Sequence, residues 1–202
     1  MPPILLAITM AVPCGTTSFV FAFAHWLQKH SLPVVVAAGE EGTWLEDRCR
    51  EASIPFRRLP HLRRNIHPWH DLLAIWSFFR LLKELRPNAL HLNSSKAGVI
   101  GSLAGRLAGT PNITYCIGGW AALEARGFWQ RTAYLWPERL SARWKDTIDC
   151  LHPGDAAFAA AHGIRPKRRL EVIPNGIDAA ALRERLLPRA AARKRLGLPA
   201  ET

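Results

Sequence analysis

The stretch that decides the fold is Ala89-Leu90-His91-Leu92-Asn93-Ser94-Ser95-Lys96-Ala97-Gly98. Its first four residues form a short apolar run, which is typical of a buried parallel strand. Residues 96–108 have helical character and include Gly98, Gly101 and Gly105, whose small size suits close packing on a sheet. A strand that runs directly into a helix is the repeating unit of an α/β protein.

The same unit recurs along the chain. Short apolar runs that end at glycine, proline or polar residues predict strands at 4–9, 33–38, 54–59, 89–92, 112–117, 147–151 and 170–173. Helical patterns lie between them, at 16–30, 43–52, 71–86, 96–108, 128–144 and 155–162, with a basic helical tail at 179–198. Because parallel strands need crossovers and helices supply them, we predict a Rossmann-like, doubly wound parallel α/β sheet of about seven strands.

Composition and charge limit the class of protein. Of the 202 residues, 49% are hydrophobic and 21% are charged, so the chain is globular, with room for one α/β domain or one domain plus an extension. Lysine and arginine number 27 against 16 acidic residues, which gives a net charge of +11. This excess favours an anionic partner and leaves phosphate esters, nucleic acids and acidic membrane surfaces as alternatives.

The cysteines and the apolar segments indicate the compartment. Cys14, Cys49, Cys116 and Cys150 are far apart and form no C-x-x-C pair, which argues against a zinc site or a disulfide framework and fits a reduced compartment. The apolar start at 4–12 has no Lys or Arg before it, unlike a signal peptide. No apolar run approaches the roughly 20 residues of a spanning helix, so we expect a cytoplasmic chain.

In an open parallel sheet, ligands bind beyond the carboxyl ends of the strands, so the residues after each strand are candidates. The first strand is followed by Pro13-Cys14-Gly15-Thr16-Thr17, in which Gly15 and Thr16 open a helix. Free backbone N–H groups and the positive end of the helix dipole suit an anion there. The alternative is an ordinary turn in which Thr16 or Thr17 caps the helix.

The stretch quoted first is the second candidate. Ser94 and Ser95 stand where a helix would be capped, and Lys96 adds a cation that opposes the helix dipole and so favours an anionic ligand. His91, in the strand itself, is a candidate binding residue as well. In the alternative interpretation Ser94 is only a cap, Lys96 is solvated and His91 is a core histidine.

Two further turns follow later strands. Gly118-Gly119, before Trp120, permits unusual backbone angles or the close approach of a ligand. The run Val172-Ile173-Pro174-Asn175-Gly176-Ile177-Asp178 contains an Asn-Gly pair, which specifies a tight turn. Taken alone, each is also explained as a plain turn.

In this order the candidates resemble glycosyltransferase family 4, whose members have the GT-B fold. Residues 172–178 match the V-I-P-N-G-I-D motif that ends the family's N-terminal domain. Residues 94–98 match its S-S-K-A-G segment, with a similar continuation at 101–111. Arg63, Arg64 and Asp71 fit the loop and helix before that segment. The resemblance covers nearly the whole chain.

The resemblance implies a retaining transferase that moves a sugar from a nucleotide diphosphate sugar to an acceptor, with no cofactor or metal. It implies that the N-terminal domain holds the acceptor, that a second domain holds the donor, and that the active site lies between them. Gly15 and Thr16 would then lie near the donor phosphates and the acceptor hydroxyl. Ser94, Ser95 and Lys96 would line the cleft.

The later turns also acquire roles from the resemblance. Gly118 and Gly119 would face the reacting sugar, and Asn175 would set the turn toward the second domain. Residues 1–178 are expected to be the N-terminal domain, and 179–202 a basic connector toward a donor-binding domain that lies outside this chain. The expected acceptor is a lipid-linked sugar used in polysaccharide or cell-envelope synthesis.

The chain departs from the family pattern at several positions. Cys14 precedes Gly15 where the family usually has Gly-Gly, and Asn93 replaces the second histidine of H-x-H. Gly118 replaces the histidine expected near the donor sugar. With the expected lack of a donor-binding domain, these departures support an alternative, a non-catalytic binding module or half-transferase that partners a donor-binding subunit.

Several aromatic residues lie near arginines in the sequence, a pattern that is found where proteins contact a membrane surface. They are Trp69, Trp76, Phe128, Trp129, Trp136 and Trp144. Tryptophan with arginine suits an anionic bilayer surface, so peripheral contact with the inner face of the membrane is one interpretation. Burial of these aromatics in the core is the other.

Three other classes of site are disfavoured. A nicotinamide site would need more than one glycine at Gly15, although Glu40 is well placed after the second strand. Basic residues are spread along the chain rather than gathered in one groove, so no nucleic-acid partner is expected. His67-Pro68-Trp69-His70 is predicted to be a loop because proline opposes a helix, and no metal site is expected there.

Overall fold

A computed structural model describes residues 1–177 and 179–199. Its sheet has seven parallel strands in the order β3-β2-β1-β4-β5-β6-β7. The strands are β1 (Ile4–Ile8), β2 (Val34–Ala38), β3 (Phe56–Arg58), β4 (Ala89–Asn93), β5 (Asn112–Ile117), β6 (Thr147–Cys150) and β7 (Arg169–Val172). The predicted Rossmann-like sheet is therefore confirmed, and the strand order reverses between β1 and β4, where a ligand crevice is expected.

Helices connect the strands and cover both faces of the sheet. They are α1 (Gly15–Lys29), α2 (Trp44–Glu51), α3 (Pro68–Leu85), α4 (Ser95–Ala108), α5 (Phe128–Ala142) and α6 (Pro153–Ala161), followed by α7 (Ala179–Arg185) and α8 (Arg189–Arg195). A short 3-10 helix spans Ala121–Leu123, between β5 and α5. Among the described residues, no helix is long and apolar enough to cross a membrane.

The two faces of the sheet form separate cores because successive side chains of a strand point to opposite sides. Leu6 and Ile8 of β1 pack in the cluster that includes residues of α1 and α2. Leu5 and Ala7 pack in the cluster that includes residues of α3, α4, α5 and α6. Leu5 and Leu6 are fully buried, and each such leucine contributes about 1.5–3 kcal/mol of transfer free energy.

The small residues of α4 allow this helix to lie directly on the sheet. A β-carbon added at Gly98 would lie 2.6 Å from the Tyr115 ring, and one at Gly101 would lie 2.4 Å from the Leu92 side chain. Neither distance is compatible with an unshifted neighbour. The close approach predicted from the glycines therefore holds, and it brings the start of α4 against β4 and β5.

Three predicted helix boundaries were wrong at prolines, and one of them is the start of α6, predicted at residue 155 and found at Pro153. Residues 67–70 were expected to be a loop, but α3 begins at Pro68, with His67 as its N-cap. Proline is tolerated at the first helical position because its missing N–H has no partner there in any helix. The predicted single tail helix is two short helices, with Pro188 preceding the second. Asp178 and residues 200–202 of the expected connector lie outside the described residues.

Candidate functional site

A cleft of about 430 Å³ lies beyond the carboxyl ends of β1, β4 and β5. The residues after β1 and the start of α4 form its floor, and α3, α5 and the 3-10 helix form its walls. Most of the surface area of its lining is apolar, as in small-molecule sites generally, although half of the residues that line it are polar or charged. Among the lining residues are Thr9, Arg64, Ile66, Ser94, Ser95, Lys96, Trp120, Ala133, Tyr134 and Glu138.

Ser94 joins the two central strands at the floor of the cleft. Its Oγ lies 2.7 Å from Oγ1 of Thr9 and accepts a hydrogen bond from the Thr9 backbone N–H at 3.3 Å. Thr9 Oγ1 in turn accepts from the backbone N–H of Ala97. Ser94 occupies the N-cap position of α4 without making the side-chain cap bond, and its φ of 99° is a strained value for a residue with a β-carbon.

Lys96 is not a solvated cation. Its Nζ lies 2.6 Å from Oδ1 of Asp71 at the start of α3, and its side chain is only 13% exposed. Nζ also donates to the backbone carbonyl of Asn65. Lys96 therefore fixes α4 to α3 and to the loop before α3, and Asp71 compensates its charge. The expected attraction for an anion is weakened to that extent.

A buried chain of polar residues, which we call the buried relay, runs from Ser95 into the protein. It comprises Ser95, Tyr115, Glu138 and Lys145. Tyr115 Oη lies 3.1 Å from Glu138 Oε1 and 3.4 Å from Ser95 Oγ, and Lys145 Nζ donates to Glu138 Oε2 at 3.0 Å. Lys145 is fully buried, and the exposure of Glu138 is small.

Sequence reasoning missed the inner members of the buried relay. Glu138 lies on α5 but Lys145 lies beyond the end of that helix, so no helical periodicity in the sequence paired them. Burial lowers the pKa of Lys145, and Glu138 opposes that effect. Burial, followed by the charge of Glu138, raises the pKa of Tyr115 well above its ordinary value, so the phenol stays protonated.

Trp120 forms part of the apolar wall. It is buried, and its indole Nε1 donates to the backbone carbonyl of Asp155 at 2.9 Å. Gly118 and Gly119, just before it, are exposed and do not line the cleft. Gly119 has a φ of +128°, which explains the glycine as a turn requirement.

The residues at the start of α1 lie outside the lining of the cleft. Cys14, rather than the expected Thr16 or Thr17, is the N-cap of α1. Thr17 completes a capping box, because its hydroxyl accepts from the Cys14 backbone N–H at 3.0 Å. Gly15 is exposed and Thr16 is partly exposed, so both are open to a ligand on the α1 side of the strand edge.

His91 and Asn175 are the remaining predicted site residues, and neither lines the cleft. His91 lies on the α1 side of the sheet, with its ring centroid 5.3 Å from that of Phe23 and 6.3 Å from that of Phe19. Burial lowers its pKa to about 4, so the imidazole is neutral at physiological pH. Asn175 is exposed after β7. The structure thus brings together Ser94, Ser95 and Lys96 of the predicted set.

Most of the aromatic residues noted in the sequence are exposed. Trp69, Trp76, Phe128, Trp129 and Trp136 are 68%, 57%, 74%, 83% and 64% exposed, and Trp144 is partly buried. The five exposed residues belong to α3 and α5, which both contact α4 and wall the cleft. Burial in the core, the alternative interpretation, is therefore wrong for the five exposed residues.

The structure also shows the contacts of Glu40 and of the histidines at 67 and 70, which the sequence analysis considered for a nicotinamide site and a metal site. Glu40, the acidic residue after β2, accepts hydrogen bonds from the side chain of Arg63 at 2.7 Å and from the backbone of His61 at 3.2 Å. Its carboxylate thereby holds the loop before α3. His67 and His70 have ring centroids 4.7 Å apart, but no three potential ligands within residues 1–177 and 179–199 are arranged to hold a metal ion.

The sequence is similar to a known protein family and to a characterised protein. A family model described as a glycosyl transferase 4-like domain matches residues 15–176. An Escherichia coli protein named UDP-Gal:alpha-D-GlcNAc-diphosphoundecaprenol alpha-1,3-galactosyltransferase is 32% identical over 120 residues. That match covers 59% of this chain and 31% of the E. coli protein, so the chain spans only a part of its relative.

Solved structures share the fold. Anabaena Alr3699/HepE, in complex with UDP and glucose, is similar with a TM-score of 0.74 at 15% identity, over 98% of this chain and 50% of that one. Sucrose-phosphate synthase from Thermosynechococcus elongatus is similar with a TM-score of 0.72 at 14% identity, over 98% and 53%. The predicted Rossmann-like architecture of the GT-B type is confirmed, the chain matches about half the length of each of these structures, and it belongs to the family of glycosyl transferase 4-like domains.

Proposed function

We propose that this chain is the acceptor-side domain of a sugar transferase and that its cleft binds the sugar of a lipid-linked acceptor. The observation that carries the proposal is the cleft at the β1–β4 crevice, with Ser94 and Ser95 on an apolar-walled floor. Hydroxyl groups set among apolar and aromatic side chains suit a sugar, which offers hydrogen-bonding edges and an apolar face. The name of the E. coli relative, with its N-acetylglucosamine diphospholipid substrate, supports the same class of acceptor.

In this proposal the donor is a nucleotide diphosphate sugar, and transfer proceeds with retention of the anomeric configuration. The donor is held largely by a second domain. That domain either follows the basic segment at 179–202 in the same polypeptide or belongs to a separate subunit. Gly15, Thr16, Gly118 and Gly119 then face the donor from the carboxyl edge of the sheet. Three of them, Gly15, Gly118 and Gly119, are exposed and so accessible to a donor.

We also propose peripheral contact with an anionic membrane through the exposed aromatics of α3 and α5. Trp69, Phe128 and Trp129 lie on helices that wall the cleft, so the bilayer would present a lipid-linked sugar directly to it. The net charge of +11 complements an anionic surface. Flotation with anionic and neutral vesicles tests this proposal. Trp129→Ala should weaken binding to anionic vesicles, while Trp26→Ala, at an exposed tryptophan of α1 on the other face, should not.

The acceptor proposal is tested by blocking the cleft. Ala133 lines it from α5 and is exposed, so Ala133→Trp fills the cleft without disturbing the core. Thr132→Trp, at the exposed neighbouring position outside the lining, is the matched control. Calorimetric titration with a short-chain N-acetylglucosamine diphosphate lipid should show binding to the wild type and to Thr132→Trp and none to Ala133→Trp. Equal binding by all three, or none by the wild type, would overturn the proposal.

A transfer assay separates the transferase from the non-catalytic module, its alternative. The chain is combined with a donor-binding domain and a radiolabelled nucleotide sugar. Transfer to the lipid acceptor supports the transferase. Acceptor binding without transfer supports the module, for which the glycine at 118 is the supporting feature in the sequence.

A further inference from the structure

Most of the charged side chains that line the cleft have a charged partner of their own. Those among the described residues are Arg64, Asp71, Lys96, Glu124 and Glu138. Lys96 forms an ion pair with Asp71, and Glu138 forms one with the buried Lys145. Arg64 and Glu124 form no ion pair with any residue of the described ranges, 1–177 and 179–199. Their charges are therefore left for a ligand.

The backbone around Arg64, in the loop before α3, is fixed on both sides. Its own N–H donates to Oε1 of Glu41, a residue that follows β2, at 2.7 Å. The backbone carbonyl of the next residue, Asn65, accepts from Nζ of Lys96 at the floor of the cleft. The loop is thus held against the edge of the sheet while the Arg64 guanidinium remains available at the cleft.

A guanidinium without an acidic partner suits a phosphate group. Its N–H groups form a planar fork that matches two phosphate oxygens. The neighbouring Arg63 already has an acidic partner, because its Nε lies 2.7 Å from Oε2 of Glu40. Of the two cations that line the described part of the cleft, Lys96 is compensated by Asp71, so Arg64 is the one suited to an anionic ligand.

Glu124 gives the cleft an electrostatic direction. It is exposed and follows the 3-10 helix on the side that leads into α5, whereas Arg64 lies beside the start of α3. Since like charges repel, a ligand with one anionic end should place that end toward Arg64. Trp69, in the first turn of α3, is 68% exposed on a helix that we propose to contact the membrane.

We propose, on the basis of the acceptor-binding function above, that Arg64 binds the diphosphate of the lipid-linked acceptor and that Glu124 orients the acceptor by repulsion. The sugar then lies on Ser94 and Ser95 at the floor of the cleft, the diphosphate lies at the loop before α3, and the lipid chain leaves beside Trp69. Arg64 thereby selects acceptors that carry phosphate between the sugar and the lipid.

The test varies the number of phosphates in the ligand. Calorimetry is carried out with a short-chain N-acetylglucosamine diphosphate lipid, the matching monophosphate lipid and the matching uncharged glycoside. Arg64→Ala should weaken binding of the diphosphate lipid roughly tenfold, weaken binding of the monophosphate lipid less, and leave binding of the glycoside unchanged. Arg64→Lys, which keeps the charge but loses the planar fork, should recover only part of the affinity.

Arg57→Ala is the matched control. Arg57 is an exposed arginine of β3 outside the lining of the cleft, and its guanidinium donates to a backbone carbonyl. This variant loses the same charge as Arg64→Ala and should bind all three ligands as the wild type does. A loss of affinity in Arg57→Ala equal to that in Arg64→Ala would show an effect of net charge alone and overturn the inference.

Salt and Glu124 provide a second readout. Because Arg64 is exposed, the affinity of the wild type for the diphosphate lipid should fall as salt is added, and that of Arg64→Ala should fall less. Glu124→Gln removes the repulsion, so it should bind the diphosphate lipid roughly twofold more tightly and the glycoside unchanged. A purely structural role for Arg64 would instead weaken all three ligands by the same factor and leave the salt dependence unchanged.

Phosphates from other sources are distinguished by two further measurements. If Arg64→Ala weakens binding of UDP-glucose but not of the diphosphate lipid, Arg64 serves the donor and the inference is wrong. If it weakens flotation with phosphatidylglycerol vesicles but not binding of the short-chain lipid, Arg64 serves the bilayer and the inference is wrong. In both cases the acceptor-binding function stands, because the wild type binds the lipid. If the wild type binds no acceptor lipid, both proposals fail.

Discussion

Nζ of Lys96 lies 2.6 Å from Oδ1 of Asp71, and both side chains are largely shielded from solvent, at 13% and 22% exposure. The pair connects the first turn of α4 to the first turn of α3. Since α4 contributes to the floor of the cleft and α3 to a wall, this ion pair fixes the floor against that wall. The S-S-K-A-G segment thus has a structural reason for its lysine that the sequence did not reveal.

Removing Lys96 should affect the cleft more than the fold. In Lys96→Ala, Asp71 loses its partner and the loop at Asn65 loses a donor, so we expect acceptor affinity, or turnover in a fusion with a donor domain, to fall about tenfold. The free energy of unfolding should fall by about 1–2 kcal/mol, less than for a fully buried ion pair, because both side chains keep some contact with solvent. Lys29→Ala, at the exposed end of α1, is the control. If Lys96→Ala left both the acceptor affinity and the melting temperature unchanged, Lys96 would contribute neither to the cleft nor to stability.

The packing of α4 on the sheet gives a second prediction. Gly98→Ala places a β-carbon 2.6 Å from the buried Tyr115 ring, so overpacking should lower the free energy of unfolding by about 1–3 kcal/mol. Gly15→Ala is the matched control, since a β-carbon there meets nothing within 4 Å. Urea denaturation of both variants measures the difference. Equal stability of the two variants would contradict the close approach of α4 to β5.

The fold was predictable from the sequence because it depends on local patterns. The alternation of apolar runs with helical segments, repeated along the chain, predicted both the strand count and the parallel topology. The α4 glycines predicted close contact with the sheet. The main errors were helix boundaries at prolines, because Pro68 and Pro153 each begin a helix, where the missing N–H has no intrahelical partner in any case.

The site was predictable only in part. Ser94, Ser95 and Lys96 are adjacent in sequence, so one motif placed all three at the crevice. Tyr115, Glu138 and Lys145 come from different segments of the chain, and their meeting depends on how α5 docks on β5. The charge balance of Lys96 was missed for the same reason, because Asp71 lies 25 positions earlier, on another helix.

Asp149 on β6 should make stability depend on pH. Burial, with the nearby charge of Glu171, raises its pKa from 3.8 to about 6. A carboxyl whose pKa is raised on folding stabilises the protein below about pH 4 and loses that contribution as the pH rises through 6. Asp149→Asn should therefore raise the free energy of unfolding at pH 8 by about 1 kcal/mol, after allowance for solvent screening, and with it the melting temperature; it should change little at pH 4.

The melting temperature of Asp149→Asn and wild type, measured from pH 4 to pH 8, checks this prediction. Glu84→Gln, at an exposed position of α3, controls for the change in net charge. A difference between Asp149→Asn and wild type that is constant with pH would mean that Asp149 does not titrate differently in the folded state.

The cysteines should differ sharply in reactivity. Partial burial acts to raise the pKa of the exposed Cys14 thiol, but hydrogen bonds from Thr17 and from backbone N–H groups outweigh it and hold the pKa below its ordinary value. Burial raises the pKa of Cys49 and Cys150 to about 11 and that of Cys116 to about 12. Iodoacetamide at pH 7.5 should therefore modify Cys14 alone, as identified by peptide mass spectrometry, and Cys14→Ser should abolish rapid labelling. Rapid modification of Cys116 would contradict the closed packing of β5.

The most direct test of the acceptor site is to locate the bound sugar chemically. An N-acetylglucosamine diphosphate lipid with a photoreactive diazirine on the sugar is irradiated with the protein, and the adducts are mapped by mass spectrometry. We predict adducts on residues that line the cleft, such as Ser95, Trp120 and Ala133, and their loss in Ala133→Trp. Adducts that are absent from the cleft, or that persist unchanged in Ala133→Trp, would contradict the assignment of this cleft to the acceptor.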